Sequence, residues 1–156
     1  TTEIYTLSLH DALPIFRKGN RVSLLIGGRS AVDIMLASEY RRLGNVYITT
    51  EDGTMGEKGM VTQHPVINQA DFPFSMVYCC GPDGMMKAVA HLAEGKKVDC
   101  EVSLENTMAC GIGACLCCVV ETHQGNQCVC TEGPVFNSKK LKGWTREIET
   151  ACSLDN

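Results

Sequence analysis

The sequence predicts an α/β protein in which a parallel sheet flanked by helices is followed by a small cysteine-rich module. Short apolar runs of strand length alternate with segments of helical periodicity, and glycine or proline separates them. Such alternation is typical of parallel sheets with right-handed crossovers. The crowding of six cysteines between residues 110 and 130 marks the second module.

The first predicted elements begin at Arg21, where the run VSLLIGG has strand length and ends in glycines. Ser30 then begins a helix, because Asp33 three residues later completes a capping box. Apolar positions continue to Gly44, which ends this helix. NVYITT is the second predicted strand, and EDGTMGEKG is too rich in glycine and charge for a regular element.

Four further elements complete the predicted sheet. A short helix is expected from Val61 to Gln69, and SMVYCC is a third strand that leads directly into Gly81. DGMMKAVAHLAEG has apolar residues at helical spacing and ends at Gly95, and VDCEVSLE is the fourth strand.

Three predicted segments end at the carboxyl edge of the sheet, where ligands bind in such folds. The candidate nucleotide-binding residues there are Arg29, Asp52, Gly53, Cys80, Gly81 and Pro82. Arg29 can reach a ribose or phosphate, although a solvated arginine beside a helix cap fits equally well. Asp52 can bind a ribose or an amide, or it can form a turn. The triplet from Cys80 to Pro82 would let the backbone approach a flat ring, although no G-x-G-x-x-G or P-loop motif accompanies it.

Four cysteines have the spacing of a plant-type [2Fe–2S] site. The pattern C-x4-C-x2-C followed by a distant cysteine is met by Cys110, Cys115, Cys118 and Cys130. Gly111 and Gly113 allow left-handed turns in the loop, so that amide hydrogens can approach the inorganic sulfides. The pattern predicts a site that carries electrons.

Zinc and disulfides are the alternatives for these cysteines. Structural zinc prefers C-x2-C pairs, usually two of them, and Cys115 with Cys118 has no clean second pair. A disulfide framework suits small secreted chains, whereas these cysteines crowd into one loop. Cys117 and Cys128 are interpreted as spectators, because only the other four keep the plant-type spacing.

Composition and charge narrow the function classes. A formal net charge of −4 argues against nucleic acid as a partner. No apolar run approaches the length of a membrane span, so a membrane is not expected as a partner. Ten cysteines without a disulfide pattern suit a reducing compartment, which predicts a cytoplasmic location.

The first fifteen residues are predicted to be an artefact. TTEIYTLSLHDALPI is, residue for residue, the translation of a short-read sequencing adapter in one frame, so residues 1–15 are excluded from functional inference. The other predicted parts are a partial nucleotide-binding α/β domain at 16–102, a [2Fe–2S] module at 103–138 and a C-terminal tail at 139–156. We expect the first strand of the domain to be missing, which would leave an open seam in the sheet and low stability.

Several stretches together resemble one family. CCGPDGMMKAV, EVSLENTMACGIGACLCC and CVCTEGPVF are similar to the electron-transfer subunit of NAD-dependent (class 1B) dihydroorotate dehydrogenase, and EDGTMGEKG resembles its D-G-x-x-G-x-x-G segment. The resemblance spans roughly residues 16–136 and implies a truncated ferredoxin-reductase-like NAD-binding domain followed by the cluster module. It also implies that the four cysteines of the plant-type pattern bind the cluster, and that Cys80 and Gly81 face the nicotinamide and flavin. In the family an N-terminal barrel binds FAD, and this sequence shows no such barrel.

Electron counting leads to a related expectation. NADH gives two electrons as a hydride and a [2Fe–2S] cluster accepts one at a time, so a flavin must stand between them. FAD and NAD(H) are therefore expected cofactors of the intact protein. The resemblance implies a hetero-oligomer with the FMN-containing catalytic subunit, which oxidises dihydroorotate to orotate in pyrimidine synthesis. Amide hydrogen bonds and partial burial by Ile112, Leu116 and Val135 would tune the cluster.

Two other functions fit parts of the pattern. Electron-transfer subunits of hydrogenases and sulfite reductases share the cysteine loop, but they tend to have a histidine before the second cysteine and a glycine after it. This sequence has Ala114 and Leu116 at those positions, which favours the dihydroorotate branch. A zinc-stabilised interaction module without a redox role is the alternative from a different class.

Overall fold

The computed structural model describes residues 2–5 and 16–144, and of residues 2–5 it describes the backbone alone. The rest of the predicted adapter segment and the tail from residue 145 onward, with Cys152, lie outside the described residues. Within the described residues the β-structure consists of a seven-stranded sheet and a two-stranded hairpin.

The large sheet is parallel except at one edge, which confirms the predicted fold class. The strands are β1 (Thr2–Tyr5), β2 (Arg21–Gly28), β3 (Gly44–Thr50), β4 (Glu57–Lys58), β5 (Met76–Cys80), β6 (Asp99–Ser103), β7 (Val119–Thr122), β8 (Gly125–Cys128) and β9 (Val135–Asn137). The order in the large sheet is β4-β3-β2-β1-β5-β6-β9, and only β9 runs antiparallel to its neighbour. The hairpin is formed by β7 and β8.

The longest helix in the described part of the chain covers the sheet beside β5 and β6. The α-helices are α1 (Ala37–Tyr40), α2 (Pro65–Asn68), α3 (Asp83–Gly95) and α4 (Val129–Glu132). In α3, Met86, Val89, Ala90 and Ala93 are buried at helical spacing, as the sequence predicts. None of these helices combines the length and the apolar character that crossing a membrane requires.

The continuous helix predicted from Ser30 to Gly44 is wrong. The Asp33 carboxylate does accept a hydrogen bond from the Ser30 N–H at 2.9 Å, but this contact caps a single 3-10 turn, Ala31–Asp33. The Ala31 N–H donates to Thr54 Oγ1 at 2.8 Å, which holds this turn against the neighbouring loop. Leu36 then takes a left-handed conformation (φ 59°), which a helix interior does not allow, and α1 begins only after it.

The helix predicted from Val61 to Gln69 is also interrupted, because Pro65 lies inside it. A residue before proline is driven to extended backbone, and His64 has ψ 136°. The segment therefore divides into a 3-10 turn, Val61–Gln63, and α2. His64 Nδ1 accepts the Val66 N–H at 3.0 Å and caps α2.

The sheet is buried on both faces, but unequally. Successive residues of a strand point to opposite faces, and in β2 Leu25 joins the larger core whereas Leu24 joins a smaller cluster with Val22 and Tyr40. The larger core also includes residues of the cysteine-rich module. It extends to Leu141 and Trp144, so residues that the sequence analysis assigned to the tail pack against the sheet.

The centre of the sheet is occupied by β1. Ile4 lies opposite Ser23 of β2 and Val77 of β5, and both pairings are parallel. The residues of β1 belong to the segment 1–15, which the sequence analysis predicts to be a translated sequencing adapter. Ladder hydrogen bonds are made by backbone groups, so an extended segment of almost any sequence can pair with β2 and β5. The seam that we expected to be open is therefore closed by a strand whose sequence has no expected biological role.

An Ile4→Pro substitution tests the position of β1. Proline has no N–H to donate and is excluded from central strands. We expect the free energy of unfolding to fall by about 2–3 kcal/mol, measured by chemical denaturation. Ile4→Val keeps the N–H and serves as the control. Equal stability of the two variants would contradict the central position of β1.

Candidate iron–sulfur and nucleotide sites

The hairpin brings the third and fourth predicted cluster ligands together. Cys118 precedes β7, and the register pairs Val119 with Cys128 at the end of β8. The chain then enters α4, where the Val129 N–H donates to the Cys118 carbonyl at 3.0 Å. The Cys130 N–H donates to Cys118 Sγ at 3.4 Å. Two segments that are distant in sequence therefore meet at the buried thiol of Cys118.

The first two predicted ligands lie on a tight loop. The Cys115 N–H donates to Cys110 Sγ at 3.4 Å across five residues. Gly111 and Gly113 have φ values of 69° and 76°, the left-handed turns that the sequence predicts. A Cβ on Gly113 would lie 3.3 Å from Thr131 Cγ2, so this glycine also lets α4 approach the loop.

Backbone amides stabilise the ionised form of two of these thiols. Hydrogen bonds from the Cys115 and Ile112 amides lower the pKa of Cys110 to about 6. The Cys130 amide lowers the pKa of Cys118 in the same way. Hydrogen bonding to Cys118 raises the pKa of the Cys130 thiol, and hydrogen bonding to Cys115 raises that of Cys117. Such a sulfur-rich, amide-lined site suits an anionic cluster, because amide donors stabilise metal-bound sulfur.

The geometry bears on the zinc and disulfide alternatives. Between residues 16 and 144 no disulfide joins the nine cysteines. No three of the described His, Cys, Asp or Glu side chains converge on one position where a metal ion would fit. Structural zinc is held by four ligands around one ion, whereas in a [2Fe–2S] cluster four cysteines are shared between two irons.

The apolar residues around the loop do not bury it. We expected partial burial by Ile112, Leu116 and Val135, but these side chains are 75%, 64% and 47% exposed. Leu116 has φ 59°, a left-handed conformation that points to a constrained turn. The loop is therefore open to contact from outside the chain.

Four of the six nucleotide candidates line two neighbouring cavities at the carboxyl edge of the sheet. A cavity of about 430 Å³ contacts Arg29 and Pro82, and one of about 310 Å³ contacts Cys80, Gly81 and Pro82. The structure thus brings four of the six candidates to this edge.

Asp52 and Gly53 line neither cavity. Asp52 Oδ1 accepts the Thr54 N–H at 2.9 Å and the Thr54 hydroxyl at 2.6 Å, and these bonds lower the pKa of the carboxyl. Asp52 therefore forms the turn that was its alternative interpretation. Glu51 lines the larger cavity instead. Glu51 directly follows β3, and this position at a strand end is the sequence signal that would have identified it as a candidate.

A second overlooked carboxylate joins the cavities to the cluster module. The Cys80 thiol donates to Glu105 Oε1 at 3.3 Å. Cys80 pairs with Ser103 across β5 and β6, so Glu105 follows two residues after the register position. The sequence signal for Glu105 is its position two residues beyond the end of β6, the strand that pairs with β5. Gly81, with φ 141°, makes the turn after Cys80, where a Cβ would lie 2.8 Å from Met85 Cε.

Residues 105–142 match the model of the iron-sulfur cluster binding domain of dihydroorotate dehydrogenase B. Proteins named dihydroorotate dehydrogenase B (NAD(+)), electron transfer subunit, are similar over most of this chain. The relative from Shouchella clausii is 38% identical over 126 residues, which cover 78% of this chain and 47% of that protein. The relative from Streptococcus thermophilus is 42% identical over 128 residues, which cover 80% of this chain and 49% of that protein.

A solved structure shares the fold. A chain from the structure of an NADH-dependent reduced ferredoxin-NADP oxidoreductase aligns with a TM-score of 0.73 and 24% sequence identity. The alignment covers 90% of this chain and 52% of that one. The chain spans about half the length of the curated relatives it matches.

The low pKa of Cys110 predicts selective alkylation of the metal-free protein. At pH 7 Cys110 is mostly thiolate, the nucleophilic form, whereas burial raises the pKa of Cys128. Iodoacetamide should modify Cys110 first, and its rate should fall as the pH is lowered through about 6. Mass spectrometry of the peptides measures this. A rate that falls with a midpoint near the free-thiol value of about 8.5 would contradict it.

Proposed function

This chain belongs to the family of dihydroorotate dehydrogenase B electron transfer subunits, and we propose that it holds a [2Fe–2S] cluster through which single electrons leave. The observation that supports this most directly is the pair of amide bonds to sulfur, at Cys110 and Cys118, in a site supplied by two chain segments. The ligands would be Cys110, Cys115, Cys118 and Cys130. When bound, the cluster supplies one-electron redox chemistry.

In this function the protein positions and tunes a redox centre, with no side chain acting as acid or base. The Cys115 and Cys130 amides would stabilise negative charge on ligand sulfur, which is a principal means of setting the potential of such clusters. Gly111 and Gly113 provide the turns that direct the loop amides inward.

We further propose that the two cavities belong to an NAD(H) site and that the intact subunit binds FAD. The larger cavity has Arg29 and Glu51 as its charged lining residues, which suit a phosphate and a ribose hydroxyl respectively. The hydrogen bond between Cys80 and Glu105 supports a short path for electrons from the NAD(H) site to the cluster. Cys80 lines the smaller cavity, and Glu105 is the first residue of the region that matches the iron-sulfur domain model. A flavin would convert the hydride pair into single electrons.

The exposed surface of the cluster loop suits a protein electron acceptor. Met108, Ile112, Leu116 and Val135 are 43–75% exposed around or near the loop. Clustered apolar side chains on a surface mark interaction sites. We propose that this surface contacts the FMN-containing catalytic subunit, which oxidises dihydroorotate, in a cytoplasmic hetero-oligomer.

Iron and sulfide analysis tests the cluster. The full chain, prepared without oxygen, should contain about two irons and two sulfides and show visible absorption that dithionite bleaches. Cys110→Ala should lose most of both elements, because alanine provides no ligand and no other cysteine lies within four residues of this position. Cys117→Ala, which keeps the four proposed ligands, is the matched control. A colourless protein with about one zinc per chain would instead indicate the zinc-stabilised module.

Introduction of negative charge into this exposed apolar surface tests the docking proposal. Ile112→Asp with Leu116→Asp should weaken binding to the dihydroorotate dehydrogenase catalytic subunit about tenfold or more, because desolvating a carboxylate at an apolar interface is costly. The iron content should stay unchanged. Val32→Asp, at a residue 87% exposed outside the cluster module, is the control. Unchanged affinity of the double variant, measured by titration calorimetry, would exclude this surface.

A further inference from the structure

A fifth thiol lies among the four proposed ligands. Cys128 is half-buried at the end of β8, and its Sγ lies 3.9 Å from the Gly113 carbonyl oxygen, where it donates a weak hydrogen bond. Gly113 is inside the loop that joins Cys110 to Cys115. The Gly113 carbonyl therefore joins the loop between Cys110 and Cys115 to the thiol of Cys128.

One buried residue fixes the backbone between these two thiols. Val129 is fully buried, and its N–H donates to the Cys118 carbonyl at 3.0 Å. Cys128 and Cys130 flank Val129, so the same anchor holds both beside Cys118. The backbone of Cys128 is extended (φ −90°, ψ 123°) and precedes α4, whereas Cys130 lies inside this four-residue helix.

We propose that Cys128 is a reserve ligand, able to replace Cys130 on the same iron. The proposal rests on the cluster proposed above. Residues two apart are separated by no more than about 7 Å, so the exchange needs a shift of one short segment and no refolding of the sheet. A cysteine thiolate offers iron the same soft donor from either position. Plant-type spacing excludes Cys128 as the usual fourth ligand, although Cys128 lies two residues from Cys130 and contacts the loop of the first ligands.

Cys117 provides a matched comparison. Its side chain is exposed, and its Sγ donates to the Cys115 carbonyl at 3.8 Å. It belongs to the first segment, adjacent to Cys118, and so does not share the position of Cys130 after the hairpin. Cys117 and Cys128 therefore have the same chemistry, but only Cys128 lies in the same segment as Cys130.

Alanine variants of the full chain test the proposal, because alanine has no ligating atom. Cys130→Ala should retain about half or more of the wild-type iron and sulfide, since one soft thiolate replaces another. Its reduced-state EPR spectrum and visible circular dichroism should be changed. Cys128→Ala should match the wild type in both. The double variant Cys128→Ala/Cys130→Ala should keep less than about a tenth of the iron, because one iron lacks a ligand.

A second double variant, Cys117→Ala/Cys130→Ala, should behave as Cys130→Ala does and controls for the loss of two thiols. Loss of the cluster from Cys130→Ala, or its retention without Cys128 and Cys130, would overturn the reserve-ligand proposal. So would loss from Cys128→Ala alone, which would make Cys128 a primary ligand. In each case a wild-type chain that holds the cluster leaves the proposed function standing. A wild-type chain without iron and sulfide overturns both.

Discussion

The contact between the Cys130 amide and the Cys118 sulfur depends on the whole path of the chain between them. A loop of three cysteines supplies ligands from one side only, and the fourth must return from a distant segment. The hairpin of β7 and β8 makes this return, and its register places Cys128 beside Val119. Val129 then closes the junction through its hydrogen bond to Cys118. The positions of the proposed ligands thus follow from strand pairing and one buried apolar residue.

The same junction attaches the module to the sheet. Cys118, Val129 and Leu141 belong to the core that also contains residues of β5, β6 and α3. The antiparallel strand β9 adds to the edge of the sheet at β6, with Phe136 opposite Val102. The module therefore shares one core with the sheet, and the Cys80–Glu105 hydrogen bond links the two at the exposed edge of that core.

The loop combines a buried base with an exposed tip. Cys118 is 1% exposed, whereas Ile112 and Leu116 are largely exposed. Burying the whole loop would isolate a cluster from its electron acceptor, and exposing all of it would leave the thiols unsupported. The apolar character of the tip is consistent with a surface that a partner covers. The described chain thus leaves Ile112 and Leu116 exposed, whereas their apolar character alone would predict burial.

The alternating strands, the parallel sheet and the plant-type cysteine pattern could be predicted from the amino-acid sequence, because each depends on spacing within short segments. The sequence also indicated Arg29 and the Cys80–Pro82 turn as candidate nucleotide-binding residues, since the ends of parallel strands meet at one edge of the sheet. The three-dimensional structure, in contrast, shows that Ser30 caps a single turn, that Asp52 accepts hydrogen bonds from Thr54, and that Glu51, Glu105 and Cys128 lie beside the candidate site residues. These outcomes depend on contacts between residues that are distant in the chain, such as Cys80 and Glu105, 25 positions apart. Spacing along the chain cannot predict such a contact, because the distance between the two residues is set by packing of the sheet and not by chain connectivity.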